Sequence, residues 1–224
     1  MLVACWSAKG GSGTTTVTAA LGKILAARAD DGALLVDLGG DLPAALGAPE
    51  PDGPGLAEWL AAGPAVPADA LARLEVRISP GLRLLPRGSG PLTRPARAEV
   101  LAEVLADDVR PVVVDVGRVT ADGTAGEAAD VARLLAGVST VSLLVTRPCF
   151  LAVRRALALP LRPSGVVLLT EEGRALGGRD IEDILGVPVV AEIASDPAVA
   201  RAVDAGMLGS RIPRSLERAL RHAA

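Results

Sequence analysis

A chain of 224 residues, half of them apolar but only 1% aromatic, can bury one substantial core, which must be built from Leu, Val, Ala and Ile. A net charge of −3 argues against a large basic surface and strong non-specific DNA binding, and a single histidine, His222, argues against a histidine-based metal centre or hydrolase triad. Cys5 and Cys149 do not make a disulfide framework in a chain of this length and read as packing residues. No apolar run reaches membrane-spanning length and no leader pattern opens the chain, so the expectation is a cytoplasmic protein with one domain over residues 1–224.

In chain order, Leu2 to Trp6 is an apolar run of strand length, and the glycine-rich segment Ala8 to Thr16 follows it. Val17, Leu21, Ile24 and Leu25 then recur at helical spacing. Ala33 to Val36 reads as a second buried strand ending in Asp37, and Leu38 to Pro43 as a loop. Gly55 to Ala62 and Ala68 to Leu74 read as short helices separated by Gly63-Pro64. Gly81 to Pro86 reads as a strand, and about Pro95 to Ala106 as a helix with Val100, Leu101, Val104 and Leu105 on one face. Pro111 to Val114 is a strand ending in Asp115, Glu127 to Leu135 a helix, and Thr140 to Thr146 a strand. A helix over Phe150 to Leu159 stops at Pro160. The strand Gly165 to Thr170, a helix around Asp180 to Leu185 and the strand Val187 to Val190 follow, and Asp196-Pro197 is a helix start. Strands alternating with helices predict an α/β fold, a mostly parallel sheet covered on both faces in three layers.

The segment Lys9-Gly10-Gly11-Ser12-Gly13-Thr14-Thr15-Thr16 carries the chemistry. A phosphate loop needs glycines so that the backbone can approach the anion, and successive N–H groups plus the positive end of the following helix then face it. The usual signature ends in Gly-Lys-Ser/Thr, whose lysine reaches the β- and γ-phosphates and whose hydroxyl holds magnesium. Gly13-Thr14-Thr15 keeps the hydroxyl and lacks the lysine. Only Lys9 and Lys23 are lysines in a chain of 23 basic residues, so Lys9 stands out. Asp37 and Asp115, at the ends of apolar strands, fall where an open α/β sheet binds ligands. Taken singly, a threonine opening a helix can be a cap and an aspartate ending a strand can be a turn residue.

These residues resemble the deviant Walker A ATPases of the MinD/ParA type and, within them, the CpaE/TadZ-like branch, with a degenerate phosphate loop. Lys9-Gly10-Gly11-Ser12-Gly13 matches the family's Lys-Gly-Gly-x-Gly opening, and Leu34 to Asp37 is similar to its switch strand. Gly55 to Leu60 with Gly81 to Pro86 is similar to the CpaE-like connection, and Leu144 to Pro148 with Ile181 to Ala205 resembles the later half. The resemblance implies a P-loop NTPase fold and a homodimer holding ATP or ADP with Mg2+, in which Lys9 crosses to the partner's phosphates. It also implies that Gly10 to Thr16 cradle the nucleotide, with Thr16 at the α-phosphate, and that Thr15 and Asp115 serve the metal.

The departures matter as much. Thr14 stands where the loop lysine belongs, Gly39 where the family often has a second switch aspartate, and Thr170-Glu171-Glu172 lacks the asparagine that often reads adenine. Asp41 is a candidate replacement for the missing carboxylate, so Lys9, Asp37 and Asp41 form the candidate catalytic set. Losing a charged hydrogen bond weakens binding by roughly 10- to 100-fold. Losing one transition-state donor costs about a hundred- to a thousand-fold in rate. The resulting expectation is a nucleotide-responsive protein that positions a division, partition or secretion assembly with very slow or no hydrolysis. The alternatives are a nucleotide-independent dimeric scaffold and a phosphate-loop ligase or synthetase. Arg211, Arg214, Arg218 and Arg221 flank Ile212, Leu216 and Leu220, a short helix that either packs on the sheet or makes weak membrane or DNA contact, placing the protein peripherally at a membrane or pole.

Overall fold

The computed structural model describes residues 1–62, 66–93, 95–121 and 126–224. Eight strands make one sheet: β1 (Leu2–Ser7), β2 (Ala33–Asp37), β3 (Val76–Ser79), β4 (Leu82–Leu85), β5 (Val112–Arg118), β6 (Val141–Thr146), β7 (Gly165–Thr170) and β8 (Val189–Ala194). Their order is β3-β4-β2-β5-β1-β6-β7-β8, and every pairing is parallel except β3 with β4. The helices are α1 (Thr14–Ala26), α2 (Leu42–Leu46), α3 (Leu56–Ala61), α4 (Pro95–Ala106), α5 (Gly126–Val138), α6 (Phe150–Leu157), α7 (Gly178–Leu185), α8 (Pro197–Asp204) and α9 (Arg214–Leu220), with a 3-10 helix over Ala68–Leu74.

Strand residues alternate between two cores, because successive side chains of a strand point to opposite faces. Val3, Cys5, Leu35, Val113 and Val145 pack with α1, α2, α8 and α9, whereas Ala4, Trp6, Leu34, Val36 and Val114 pack with the helices of the other face. A sheet buried on both faces reads as continuous apolar runs. Trp6, fully buried, donates its indole N–H to Ser142 Oγ at 3.0 Å, which gives the one polar atom of a large side chain a partner. Gly22 lets α1 lie close on the sheet, since a Cβ there would sit 2.4 Å from Leu35 Cδ2.

Several boundaries differ from the sequence-based expectations. The loop predicted over Leu38 to Pro43 gives way to α2 at Leu42, and Pro43 is accommodated because a helix's first turn needs no N–H there. The predicted Val187–Val190 strand begins at Val189 and runs to Ala194, since Pro188 has no N–H for the ladder and offers its carbonyl to Val166 N. β3 is not legible in the sequence because it is a half-exposed edge without an apolar run. Glu75, the residue before it, holds it to the sheet through Arg83 Nε at 2.7 Å and an Arg110 amino group at 2.8 Å. β5 does not end at Asp115: it continues to Arg118 through a bulge, where Cys5 pairs with Asp115 but Trp6 with Gly117. α6 stops at Leu157, short of the predicted Leu159. The predicted break at Gly63-Pro64 lies outside the described residues.

The carboxyl-terminal segment packs on the sheet side of the molecule. Leu216 and Leu220 of α9 are each 1% exposed, lodged against α1 and β8, while Arg214 and Arg218 face solvent. Among the described residues no helix is long and apolar enough to cross a membrane.

Candidate functional site

Strand β1 lies between β5 and β6, and the chain's path across the sheet reverses there, so a crevice opens beyond the carboxyl ends of these strands. The glycine-rich loop fills that crevice and leads into α1. Gly11 (φ 74°) and Gly13 (φ 88°) take the left-handed conformation that the turn requires and that other residues adopt at a cost. A Cβ at Gly10 or Gly11 would meet nothing within 4 Å, so the space above the loop is open. Ser12 Oγ donates to the Lys9 carbonyl at 2.6 Å and braces the turn from within, and Val17 N donates to Gly13 O at 3.0 Å as α1 begins. Among the described residues no hydrogen bond uses the N–H groups of Gly10, Gly11 and Gly13. Open donors at a helix amino terminus suit an anion.

The remaining loop residues divide by burial. Lys9, Thr15 and Thr16 are partly exposed on the crevice side, whereas Thr14 is only 7% exposed and its carbonyl accepts from Thr18 Oγ1 at 2.9 Å. The position that would carry a phosphate-loop lysine is therefore tucked into the helix–sheet junction.

Two buried carboxylates face the loop from the adjoining strands, brought side by side by the register that pairs Asp37 with Asp115. Asp37 Oδ1 accepts from Gly40 N at 2.7 Å and Oδ2 from Leu42 N at 3.1 Å, so both oxygens shape the turn into α2. Burial raises its pKa to about 6 against those bonds. Asp115 accepts from Gly117 N at 3.1 Å through Oδ1, but Oδ2 is buried and has no hydrogen-bond partner. Burial raises this carboxyl to about 7, the Thr15 hydroxyl offsets part of the rise, and the charge of Asp37 adds to it. Gly39 lies over the pair, since a Cβ there would be 3.7 Å from Asp37 Oδ1 and 3.9 Å from Asp115 Oδ2. Asp41 is exposed in front of them, close enough that its charge raises both carboxyls.

A magnesium ion fits this donor set in one respect: the orphaned Asp115 Oδ2 and the neighbouring Thr15 hydroxyl are hard oxygen donors beside an anion cradle. Among the described residues no cluster of three or more His, Cys, Asp or Glu side chains makes a metal cage.

Next to the loop is a cavity of about 240 Å3, lined by Gly13, Thr16, Leu169, Thr170, Glu171 and Asp196 among others. Apolar side chains such as Val17, Leu169, Ile193 and Val199 share its walls with polar and charged ones, a mix that can hold a small ligand's body and orient it. Leu169 closes over the loop, its Cδ2 2.7 Å from where a Gly13 Cβ would be, so Gly13 is needed for this approach as well as for its φ. At the rim Glu171 is bridged by Arg147 and Arg174. The role of Asp196 is local: it caps α8 by accepting from Ala198 N at 2.7 Å and accepts from Ser215 Oγ at 2.5 Å. Sequence reasoning places Thr170 to Glu172 near the base but does not find Leu169, Arg147 or the β8 end. The only signal is their position at strand ends, which many residues share. The packing reading holds for Cys5, buried and pushed up to about 12, but not for Cys149. Cys149 is partly exposed at the start of α6, where the N–H groups of Ala152 and Leu151 hold its thiol below the ordinary value.

Sheet order, loop and crevice together define a protein of the phosphate-loop nucleotide-binding class. The chain belongs to the CobQ/CobB/MinD/ParA nucleotide-binding domain family, whose model matches residues 3–208. It is similar to a ParA family ATPase from Chlorobium tepidum TLS, with a TM-score of 0.76 and 22% identity over 98% of this chain and 95% of that one. It is likewise similar to the septum site-determining protein MinD complexed with Mg-ADP from Pyrococcus horikoshii OT3, with a TM-score of 0.77 and 22% identity over 99% and 93% of the two chains. A Cyanothece McdA variant in complex with ATP gives a TM-score of 0.70 and 18% identity over 98% and 94%. At these identities the likeness shows the fold, that of MinD/ParA P-loop NTPases. No curated protein matches the sequence.

Proposed function

We propose that this chain is a nucleotide-responsive positioning protein of the CpaE/TadZ-like kind: a homodimer, each subunit one domain, that binds ATP or ADP with Mg2+ and hydrolyses it very slowly or not at all. The observation that carries this reading is the open set of loop N–H groups beside a buried, unpartnered Asp115 Oδ2, with Lys9 partly exposed at the rim and Thr14 buried beneath. A ligand that supplies phosphate oxygens and a divalent cation satisfies all of these at once. The neighbours in complex with Mg-ADP and with ATP support the choice of ligand, and a MinC:MinD complex from Aquifex aeolicus supports a protein partner.

In this reading the N–H groups of Gly10 to Thr16 bind the phosphates, and Thr15 and Asp115 hold the magnesium. Asp37 fixes the switch loop, and Lys9 reaches the phosphates of the partner subunit. Bound metal supplies charge neutralisation at the phosphates. Phosphoryl transfer depends on positioning and on charges aimed at the transition state. Thr14 contributes no charge there, and Gly39 contributes no carboxylate to orient water, which leaves only the exposed Asp41 for that task.

Calorimetry with ATP and Mg2+, alongside light scattering on the same samples, tests the reading. The expected result is saturable binding with a shift from monomer to dimer, and a Lys9→Ala variant that still binds nucleotide but no longer dimerises. Absence of heat with an unchanged mass refutes nucleotide response and leaves the scaffold. Lys9→Ala dimerising as the wild type does refutes the cross-subunit role.

A further inference from the structure

At the end of α1 remote from the phosphate loop, α1 and the carboxyl-terminal segment enclose an open groove of about 760 Å3. Arg28, Arg211, Arg214 and Arg221 line it, all exposed, and among the described residues none of the four has a carboxylate within ion-pair distance. Among the described residues Glu217 is the one carboxylate in the lining. Lys23 adds charge but is already engaged, donating to Ser79 Oγ at 2.8 Å and Gly209 O at 2.7 Å. Between these cations lies apolar surface from Ile24, 6% exposed, and the half-buried Ile212. Arg211 also borders a second depression, of about 290 Å3, lined by Met207, Pro213 and Arg201. Met207 is 46% exposed there.

We propose that this groove is a docking site for an acidic peptide segment of a partner protein, with carboxylates on the arginines and apolar side chains on the Ile24–Ile212 floor and at Met207. Arginine is the side chain suited to such pairs, because its planar fork meets a carboxylate with two parallel hydrogen bonds. Two depressions joined at Arg211 make an elongated track, which suits a stretch of chain better than a compact small molecule. A membrane surface is a poor match, since Leu216 and Leu220 of α9 are committed to the core and no apolar ridge protrudes among the described residues of this face. Duplex nucleic acid is a poor match too: it would leave the apolar floor uncovered, and the chain as a whole is acidic, with a net charge of −3. The groove does not involve the nucleotide site, so the inference stands or falls separately from the proposed function.

The test is a random-peptide display selection on the immobilised full chain without nucleotide, followed by affinity measurements on the selected peptides. Enriched peptides are expected to interleave Asp or Glu with apolar residues. Their affinity should fall at least about tenfold in the Arg211→Glu/Arg214→Glu variant and with added salt. The Arg218→Glu variant, altered on the same helix outside the groove, should bind as the wild type does. Thermal melting confirms that the variants are folded. No enrichment, enrichment without acidic bias, or peptides indifferent to the double variant overturns the proposal. So does tighter binding, through the same arginines, of duplex DNA or of phosphatidylglycerol vesicles.

Discussion

Thr14→Lys places a cation at the position where phosphate loops usually carry one, and its effect can be worked from the structure. Thr14 begins α1, and its carbonyl, not its side chain, accepts from Thr18 Oγ1, so the substitution leaves the helix start and the left-handed Gly13 in place. The lysine stem must run out from a site now 7% exposed toward the open face of the loop. A charge-assisted hydrogen bond to a phosphate contributes about 1.5–3 kcal/mol, which at RT near 0.59 kcal/mol is roughly a 10- to 150-fold gain in affinity. Calorimetry with Mg-ATP at fixed ionic strength reads this directly, with Thr14→Val, which adds no charge, expected within about twofold of wild type. A folded Thr14→Lys variant whose affinity matches that of Thr14→Val would refute the inference that the missing loop lysine limits nucleotide binding.

Other perturbations probe the neighbouring features. Gly39→Asp adds a third carboxylate over Asp37 and Asp115, so it should lower the melting temperature of the metal-free protein by several degrees, with Mg-ATP recovering most of the loss. Gly39→Ala, whose Cβ meets both carboxylates at ordinary contact distance, should melt as the wild type does. Gly22→Ala gains about 1 kcal/mol of helix propensity but drives a methyl into Leu35 at a cost of about 1–3 kcal/mol. It should therefore destabilise the wild type and stabilise a Leu35→Ala background, and equal effects in the two denaturation series would remove close packing as the reason for this glycine. Glu58 accepts from Gly55 N at 2.7 Å and Gly90 N at 2.8 Å, and these N–H groups pull its pKa down from 4.5 to about 2. A depressed carboxyl stabilises above its unfolded value and loses that contribution as pH falls through the folded one. The melting-temperature gap between wild type and Glu58→Gln should hold above about pH 5 and close toward about pH 2, and a gap independent of pH would count against this anchoring.

The amino-acid sequence alone determined the class of fold and the identity of the loop. Strands buried on both faces of a parallel sheet are continuous apolar runs, and the turn from β1 to α1 is local, so its glycines, Lys9 and the absent lysine at Thr14 are visible in a single stretch of chain. What the sequence did not carry is whatever depends on registry between distant segments. The pairing of Asp37 with Asp115, the bulge after Asp115, the burial of an Asp115 oxygen without a partner, and Leu169 closing on Gly13 all arise from strands far apart in the chain. β3 was not expected because a four-residue edge offers only Val76 and Ile78 as apolar positions: its place comes from antiparallel pairing with β4, from those two side chains packing on the core, and from the ion pairs of Glu75 with Arg83 and Arg110. The carboxyl-terminal arginines show the same division. Their spacing makes a basic amphipathic helix, but only packing decided that its leucines are used inside the molecule, leaving Arg211, Arg214 and Arg221 along an open groove and Arg218 outside it. Local chemistry is written in neighbouring residues, whereas burial and the partners of a polar atom are set by what the folded chain brings alongside.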